Sequence, residues 1–293
     1  MLAVRRLKPK NDFIFQRLFG EQETKDSLIS LLNAILRLDD DKRITDLTVI
    51  ENKQLSKQLI DDKTGRLDVR AETHDRMQID IEVQLTDQRN MARRTLFYLA
   101  KMYVDSIKAG QKYEDLKKTV AINILDFNLL DIRRYHSTFH FYEDHEADYM
   151  LTDALECHFI EYPKFREVPK NFDDPLHRWL LFLDEKLPQT DLEELMKMDP
   201  VIKKTEERLE WLSADEETVR LYEAREHSRI ERNSLIADAE AKGYEKGIEK
   251  GIEKGIEKNK EEIARNMLHK GMDAVLVAEL TGLSLAEVER LKK

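Results

Sequence analysis

The chain has 293 residues, 41% of them hydrophobic and 37% charged, with a formal net charge of −10. That length carries one sizeable domain with appendages, or two domains, and the acidic balance argues against a whole-molecule electrostatic grip on nucleic acid. The single cysteine, Cys157, excludes an internal disulfide framework and any multi-cysteine zinc site. No apolar run has signal-peptide or membrane-span dimensions, so a cytoplasmic location without membrane contact is expected.

The charge is unevenly spread. Residues 1–100 hold 18 Lys/Arg against 17 Asp/Glu, leaving 31 against 42 for the rest. Any nucleic-acid site is therefore expected in the N-terminal part and not in the acidic remainder.

In chain order, "NDFIFQRLF" (11–19) and "TKDSLISLLNAILR" (24–37) read as two short amphipathic helices separated at Gly20, with Thr24 as the second N-cap. "ITDLTVIE" (44–51) is rich in β-branched residues and predicts a first strand. "RLDVRAE" (66–72) and "MQIDIEVQL" (77–85) both alternate apolar and polar residues, and the four residues "THDR" join them into a β-hairpin. A helix is predicted over about 88–108, with Leu96, Leu99, Met102 and Tyr103 as its apolar stripe. "TVAINILDF" (119–127) has the composition of a central strand buried on both faces. "YHSTFHFYE" and "LECHFIEY" (155–162) complete the sheet, and Pro163 stops the last strand.

From about residue 171 the pattern is helical. Residues 243–258, "GYEKGIEKGIEKGIEK", are four tandem tetrads that hold four of the nine glycines. Each interior glycine costs a helix about 1 kcal/mol relative to Ala, which predicts a marginally stable helical linker; a helix-packing seam is the alternative. The tail, residues 260–293, predicts three short helices broken at Gly271 and Gly282, with Ser284 and Glu287 as a capping box. "VLVAELTGLSLAEVERL" resembles a helix-turn-helix. The tail's six Lys/Arg balance six Asp/Glu, which favours packing or protein interaction over DNA reading.

The hairpin is where the sequence points to chemistry. Facing polar residues whose numbers sum to 150 place Asp68 opposite Glu82 and Arg70 opposite Asp80; a sum of 148 places Asp68 opposite Asp80. Either way an acid faces an acid, with Cβ atoms roughly 4.5–5.5 Å apart. Solvation of both carboxylates is one explanation. Chelation of a divalent cation is the other, since Mg²⁺ takes one or two carboxylates, waters and phosphate oxygens, with the Val83 carbonyl as a further ligand. Asp80 has a plain alternative role as the partner of Arg70. His136, His140, His145 and His158 read as strand-surface residues, and Cys157 as inert core.

"RLDVRAETHDRMQIDIEVQ" resembles the core of the PD-(D/E)XK nuclease superfamily, in which an Asp is followed by Glu-x-Lys on the next strand. It is most similar to the Rpn recombination-promoting nucleases, also described as PD-(D/E)XK nuclease family transposases, whose last motif is usually Glu-x-Gln, as in Glu82-Val83-Gln84. "KNDFIFQRLFG", "TDALECHFIEYPKF" and the Lys/Glu/Gly repeats before a short helical tail extend the resemblance over nearly the whole chain. One departure is the turn His74-Asp75-Arg76, where relatives often carry Asp-Gly.

The resemblance implies an α/β fold, a restriction-endonuclease-like core with a mixed central sheet flanked by helices, and a helical C-terminal extension. It implies a DNA endonuclease dependent on Mg²⁺ or Mn²⁺ and linked to recombination or a mobile element. Asp68, Glu82 and Gln84 would be catalytic, with Asp68, Glu82 and the Val83 carbonyl as metal ligands. Asp12 is a further candidate acid, although a helix-start role suits it equally. Arg89, Arg93 and Arg94 are candidates for phosphate contacts. Gln84 stands at the lysine position and can orient a water, but it carries no charge to offset developing negative charge. The alternative is therefore a catalytically weak or inactive relative that binds DNA or protein through its helical tail. The expected segments are residues 1–170 as nuclease-like core, 171–242 as helical extension, 243–259 as tetrad linker and 260–293 as tail. A homo-oligomer formed through the C-terminal helices is a further expectation.

Overall fold

Six strands form one mixed sheet in the order β1-β2-β3-β4-β6-β5: β1 (Leu47–Val49), β2 (Val69–Thr73), β3 (Gln78–Gln84), β4 (Thr119–Leu125), β5 (His136–Tyr142) and β6 (Met150–Glu161). The computed structural model describes residues 5–50, 69–87 and 89–291. The pairs β3–β4 and β4–β6 are parallel, and the outer pairs are antiparallel. The predicted first strand shortens to three residues, and Pro163 lies inside a helical turn, α4 (Tyr162–Phe165), directly after β6. The β2–β3 pairing sets Val69 opposite Ile81 and Arg70 opposite Asp80, the register whose residue numbers sum to 150.

Helices α1 (Asp12–Phe19) and α2 (Lys25–Leu36) match the two predicted ones. Asn11 caps α1, its side-chain oxygen accepting from the amides of Phe13 and Ile14. Thr24 does not cap α2, because its hydroxyl instead donates to the Glu21 carbonyl at 3.1 Å. Phe15, Phe19, Leu28, Leu31 and Ile35 pack with Ile79, Ile81, Ile122 and Ile124 from one sheet face, and Trp179 and Phe182 of α5 (Pro175–Leu183) extend that core.

On the opposite face lies α3 (Met91–Asp105), the predicted helix three residues shorter at each end. Its inward stripe is Met91, Thr95 and Leu99, whereas Leu96 is 55% exposed. The expected all-apolar stripe is corrected here because a threonine hydroxyl, satisfied by the sheet, takes an inward position. Met91 and Leu99 pack on Ala121, Leu125, Cys157 and Phe159, a second core beneath the polar side of β3.

The C-terminal half adds α6 (Gln189–Met198), α7 (Pro200–Ala214) and α8 (Glu216–His269), a single helix of 54 residues that includes all the tetrads. Two short helices follow, α9 (Ala274–Thr281) and α10 (Leu285–Leu291). Gly271 and Gly282 hold φ of 84° and 70° at the two breaks, the left-handed conformation that favours glycine. Ser284 and Glu287 form the expected capping box, the Ser284 hydroxyl and amide both donating to Glu287. The predicted first tail helix is the end of α8 and not a separate short element. The chain divides into two compact units, residues 1–223 and 224–293.

Candidate active site on the covered face of the sheet

Alternation puts Asp80, Glu82 and Gln84 on the sheet face that α3 covers. Both carboxylates are buried, with Asp80 5% and Glu82 4% exposed. For Asp80 and Glu82 the reading of a simply solvated acid is thereby corrected, because helix α3 removes them from water; Asp68, the other member of the expected pair, lies outside the described residues. A buried carboxylate is costly unless charge and hydrogen bonds compensate, and each finds such partners. Asp80 accepts from the Arg70 Nε at 3.1 Å across the ladder, as the register requires. Glu82 Oε1 accepts from the Gln84 amide at 2.6 Å and from the Arg94 guanidinium of α3. Glu72, at the other end of β2, is held by Lys117 Nζ at 2.6 Å.

Two residues that sequence reasoning missed fix α3 over the site. Asn123 of β4 lies opposite Glu82 in the parallel register. Thr95 Oγ1 donates to Asn123 Oδ1 at 3.0 Å, and the Asn123 amide donates to the His158 carbonyl at 3.0 Å. The visible signal was an asparagine inside the otherwise apolar "TVAINIL". Its partner was out of reach of any local pattern, being 28 residues away.

The remaining candidates are placed as follows. Asp12 opens α1, which packs on β3, and its Oδ1 accepts from the Phe13 amide. Arg89 is exposed with φ 57°, and its amide donates to Asp87. Arg93 is exposed on α3, and Arg94 is turned inward onto Glu82. Asp68 lies outside the described residues. Lys10, next to the α1 cap, is buried; its Nζ donates to Asp126 at 2.9 Å and stacks 3.8 Å from the Tyr162 ring. Desolvation lowers its pKa despite the Asp126 partner. The Asp126 amide donates to the Gln84 carbonyl, so Lys10 braces the end of the site strand.

The surface reading holds for His145, which is exposed, but needs correction for His158 and its partner His136. His158 is 2% exposed, shares a 2.9 Å hydrogen bond with His136 and meets Glu156 at 2.7 Å, so these are parts of a buried network and not surface residues. Cys157 is buried, and desolvation pushes its thiol up to about 11, which keeps it unreactive.

Among the described residues no group of three or more His, Cys, Asp and Glu could hold a metal ion. The donors that Glu82 and Val83 would offer a metal are oxygens, a carboxylate and a main-chain carbonyl. A set of that kind suits a hard cation that keeps waters, such as Mg²⁺ or Mn²⁺, and not zinc.

A mixed sheet flanked by helices, with an acid of β3 buried beneath α3, defines an α/β core. The family model of the PD-(D/E)XK nuclease family transposases matches residues 9–239, so the chain belongs to that family. Residues 257–293 match the C-terminal HTH domain of the Rpn/YhgA-like nuclease family. Neither a curated protein nor a solved structure matched the chain. Among the described residues no helix is long and apolar enough to cross a membrane.

Proposed function

We propose that this protein is a divalent-metal-dependent DNA endonuclease that hydrolyses phosphodiester bonds, acts in the cytoplasm and serves recombination or a mobile element. The observation that supports this most is the buried Glu82, followed by Val83 and Gln84 and partnered by Arg94, in a chain of this nuclease family. In this reading Asp68 and Glu82, with the Val83 carbonyl, hold Mg²⁺ or Mn²⁺. The metal would supply Lewis-acid polarisation of the scissile phosphate and a water of lowered pKa. The chain's own residues do the rest by positioning. Gln84 orients the attacking water through its amide, α3 excludes bulk solvent, and Arg89 and Arg93 contact flanking phosphates from outside the covered face.

Plasmid nicking with and without Mg²⁺ tests the reading. Wild type nicks only with metal, and Asp68→Ala and Glu82→Ala each lower the rate by about 100-fold or more. Variants that cut as fast as wild type overturn the site. A second reading, a catalytically silent member that binds DNA through its HTH tail, is favoured by the uncharged Gln84 and the C-terminal match. It predicts retarded DNA in gel-shift assays with the full-length protein and no nicking with Mg²⁺ or Mn²⁺.

A further inference from the structure

Resting on the nuclease reading, we infer that Arg94 holds the cation position at Glu82 until metal arrives, and then becomes the clamp on the scissile phosphate. The ion pair is buried, with the Arg94 side chain 18% and the Glu82 side chain 6% exposed. Glu82 Oε1 takes both the guanidinium and the Gln84 amide. A divalent ion on this carboxylate meets a permanent positive charge at contact distance in a water-poor setting, where Coulomb repulsion is little screened. A divalent ion that takes Oε1 displaces the guanidinium from that oxygen, so metal binding there and the Arg94–Glu82 pair compete.

The backbone that carries Arg94 is fixed while its side chain is long enough to swing. Thr95, the next residue, is tied to Asn123, which stands opposite Glu82 in the register. Arg94 is thus anchored over the reacting strand on either side of the exchange. Once displaced from Glu82, its guanidinium has the planar fork that pairs with phosphate oxygens. It supplies the positive charge that Gln84 lacks. Metal loading and phosphate engagement become one coupled event, and the carboxylate is protected from an unpaired charge when the site holds no metal.

The test uses full-length protein and Mn²⁺ alone as the binding probe, followed by electron paramagnetic resonance, together with plasmid nicking. Arg94→Gln should bind Mn²⁺ about ten-fold tighter than wild type, within the usual range of coupling between sites. The same variant should nick about 100-fold more slowly, the cost of losing a transition-state charge partner. A merely structural arginine would lower both readings, so unchanged or weaker Mn²⁺ binding overturns the inference, as does nicking at the wild-type rate. Should Arg94→Gln fail to fold, wild type carries the test: phenylglyoxal modification of Arg94, read by peptide mass spectrometry, should accelerate several-fold on Mn²⁺ addition, and an unchanged rate overturns it. Equal Mn²⁺ binding by wild type and Glu82→Gln, with no nicking, overturns the nuclease reading itself and the inference with it.

Discussion

Arg76 closes the β2–β3 turn with φ 68°, a left-handed conformation that costs a non-glycine residue about 1 kcal/mol. Its guanidinium reaches only the Asp115 carbonyl, at 3.4 Å, so little is lost with it. Arg76→Gly should therefore stabilise the protein by about 0.5–1 kcal/mol, seen as a higher urea midpoint at unchanged slope. The turn was legible in "THDR", whereas the left-handed backbone at its last residue was not, since an arginine and not a glycine stands there. The histidine network is a residue-scale feature with a pH signature. Burial first, and then His158, lowers His136 to about 4. Glu156 is held down at about 2: burial would raise it, but hydrogen bonds from His158 and Lys118 override that cost. The unfolded chain binds a proton on His136 from about pH 6.5 down, while the folded chain resists until about 4, so stability falls across that window by up to about 3 kcal/mol. Glu156 contributes stability above its ordinary value of 4.5, lost as pH drops towards 2. Urea unfolding at pH 7, 5 and 4 should show the first loss, and His136→Gln should flatten it while leaving the lower window intact. None of this pairing was visible in the sequence, since His136 and His158 meet only through the β5–β6 register.

At the scale of elements, helix and strand existence followed from apolar periodicity, and the mostly apolar, fully buried β4 and the β2–β3 hairpin were plain. What escaped was the face that α3 presents. A period-four stripe of Met91, Thr95 and Leu99 looks weaker in sequence than one built on Leu96, because its middle member is polar. The hydrogen bond to Asn123 reverses that ranking. Thr95→Val keeps the shape and deletes the hydroxyl, leaving the buried Asn123 oxygen without its donor. It should destabilise by about 1–3 kcal/mol in chemical denaturation and also slow nicking, since Arg94 loses its anchored neighbour. The tetrads give the opposite case. Propensity argued for a marginal helical linker, and residues 243–258 run as helix inside α8. A Cβ built at Gly243, Gly247, Gly251 or Gly255 meets nothing within 4 Å. Replacing Gly247 and Gly251 by Ala should therefore add about 1 kcal/mol of helix stability per site, measured as a later loss of 222 nm ellipticity on heating.

For the whole molecule, the distribution of charge decides how DNA can be held. Residues 224–293 contain 14 Lys/Arg and 14 Asp/Glu, so the entire net charge of −10 lies in residues 1–223. Within those, residues 101–223 carry 17 Lys/Arg against 28 Asp/Glu, while residues 1–100 are nearly balanced. The candidate site strand β3 thus falls in the part of the chain with no acidic excess, which would suit the polyanionic substrate of the proposed nuclease. Neither residues 1–100 nor residues 224–293 have an excess of Lys/Arg large enough to release many counterions on binding. In the proposed nuclease, affinity for DNA would then come from a few phosphate contacts, from the arginines around the site and from the metal. For the uncleaving Glu82→Gln variant, the logarithm of the DNA association constant should fall with the logarithm of salt at a slope of about −2 to −4, the mark of only a few neutralised phosphates. Fluorescence anisotropy of a labelled duplex across 50–300 mM salt measures it. A slope steeper than about −8 would mean that many more cations engage the duplex than the charge distribution allows. Arg93→Gln should flatten the slope by about one contact's worth if that arginine meets the phosphate backbone, and leave it unchanged if the residue only faces solvent.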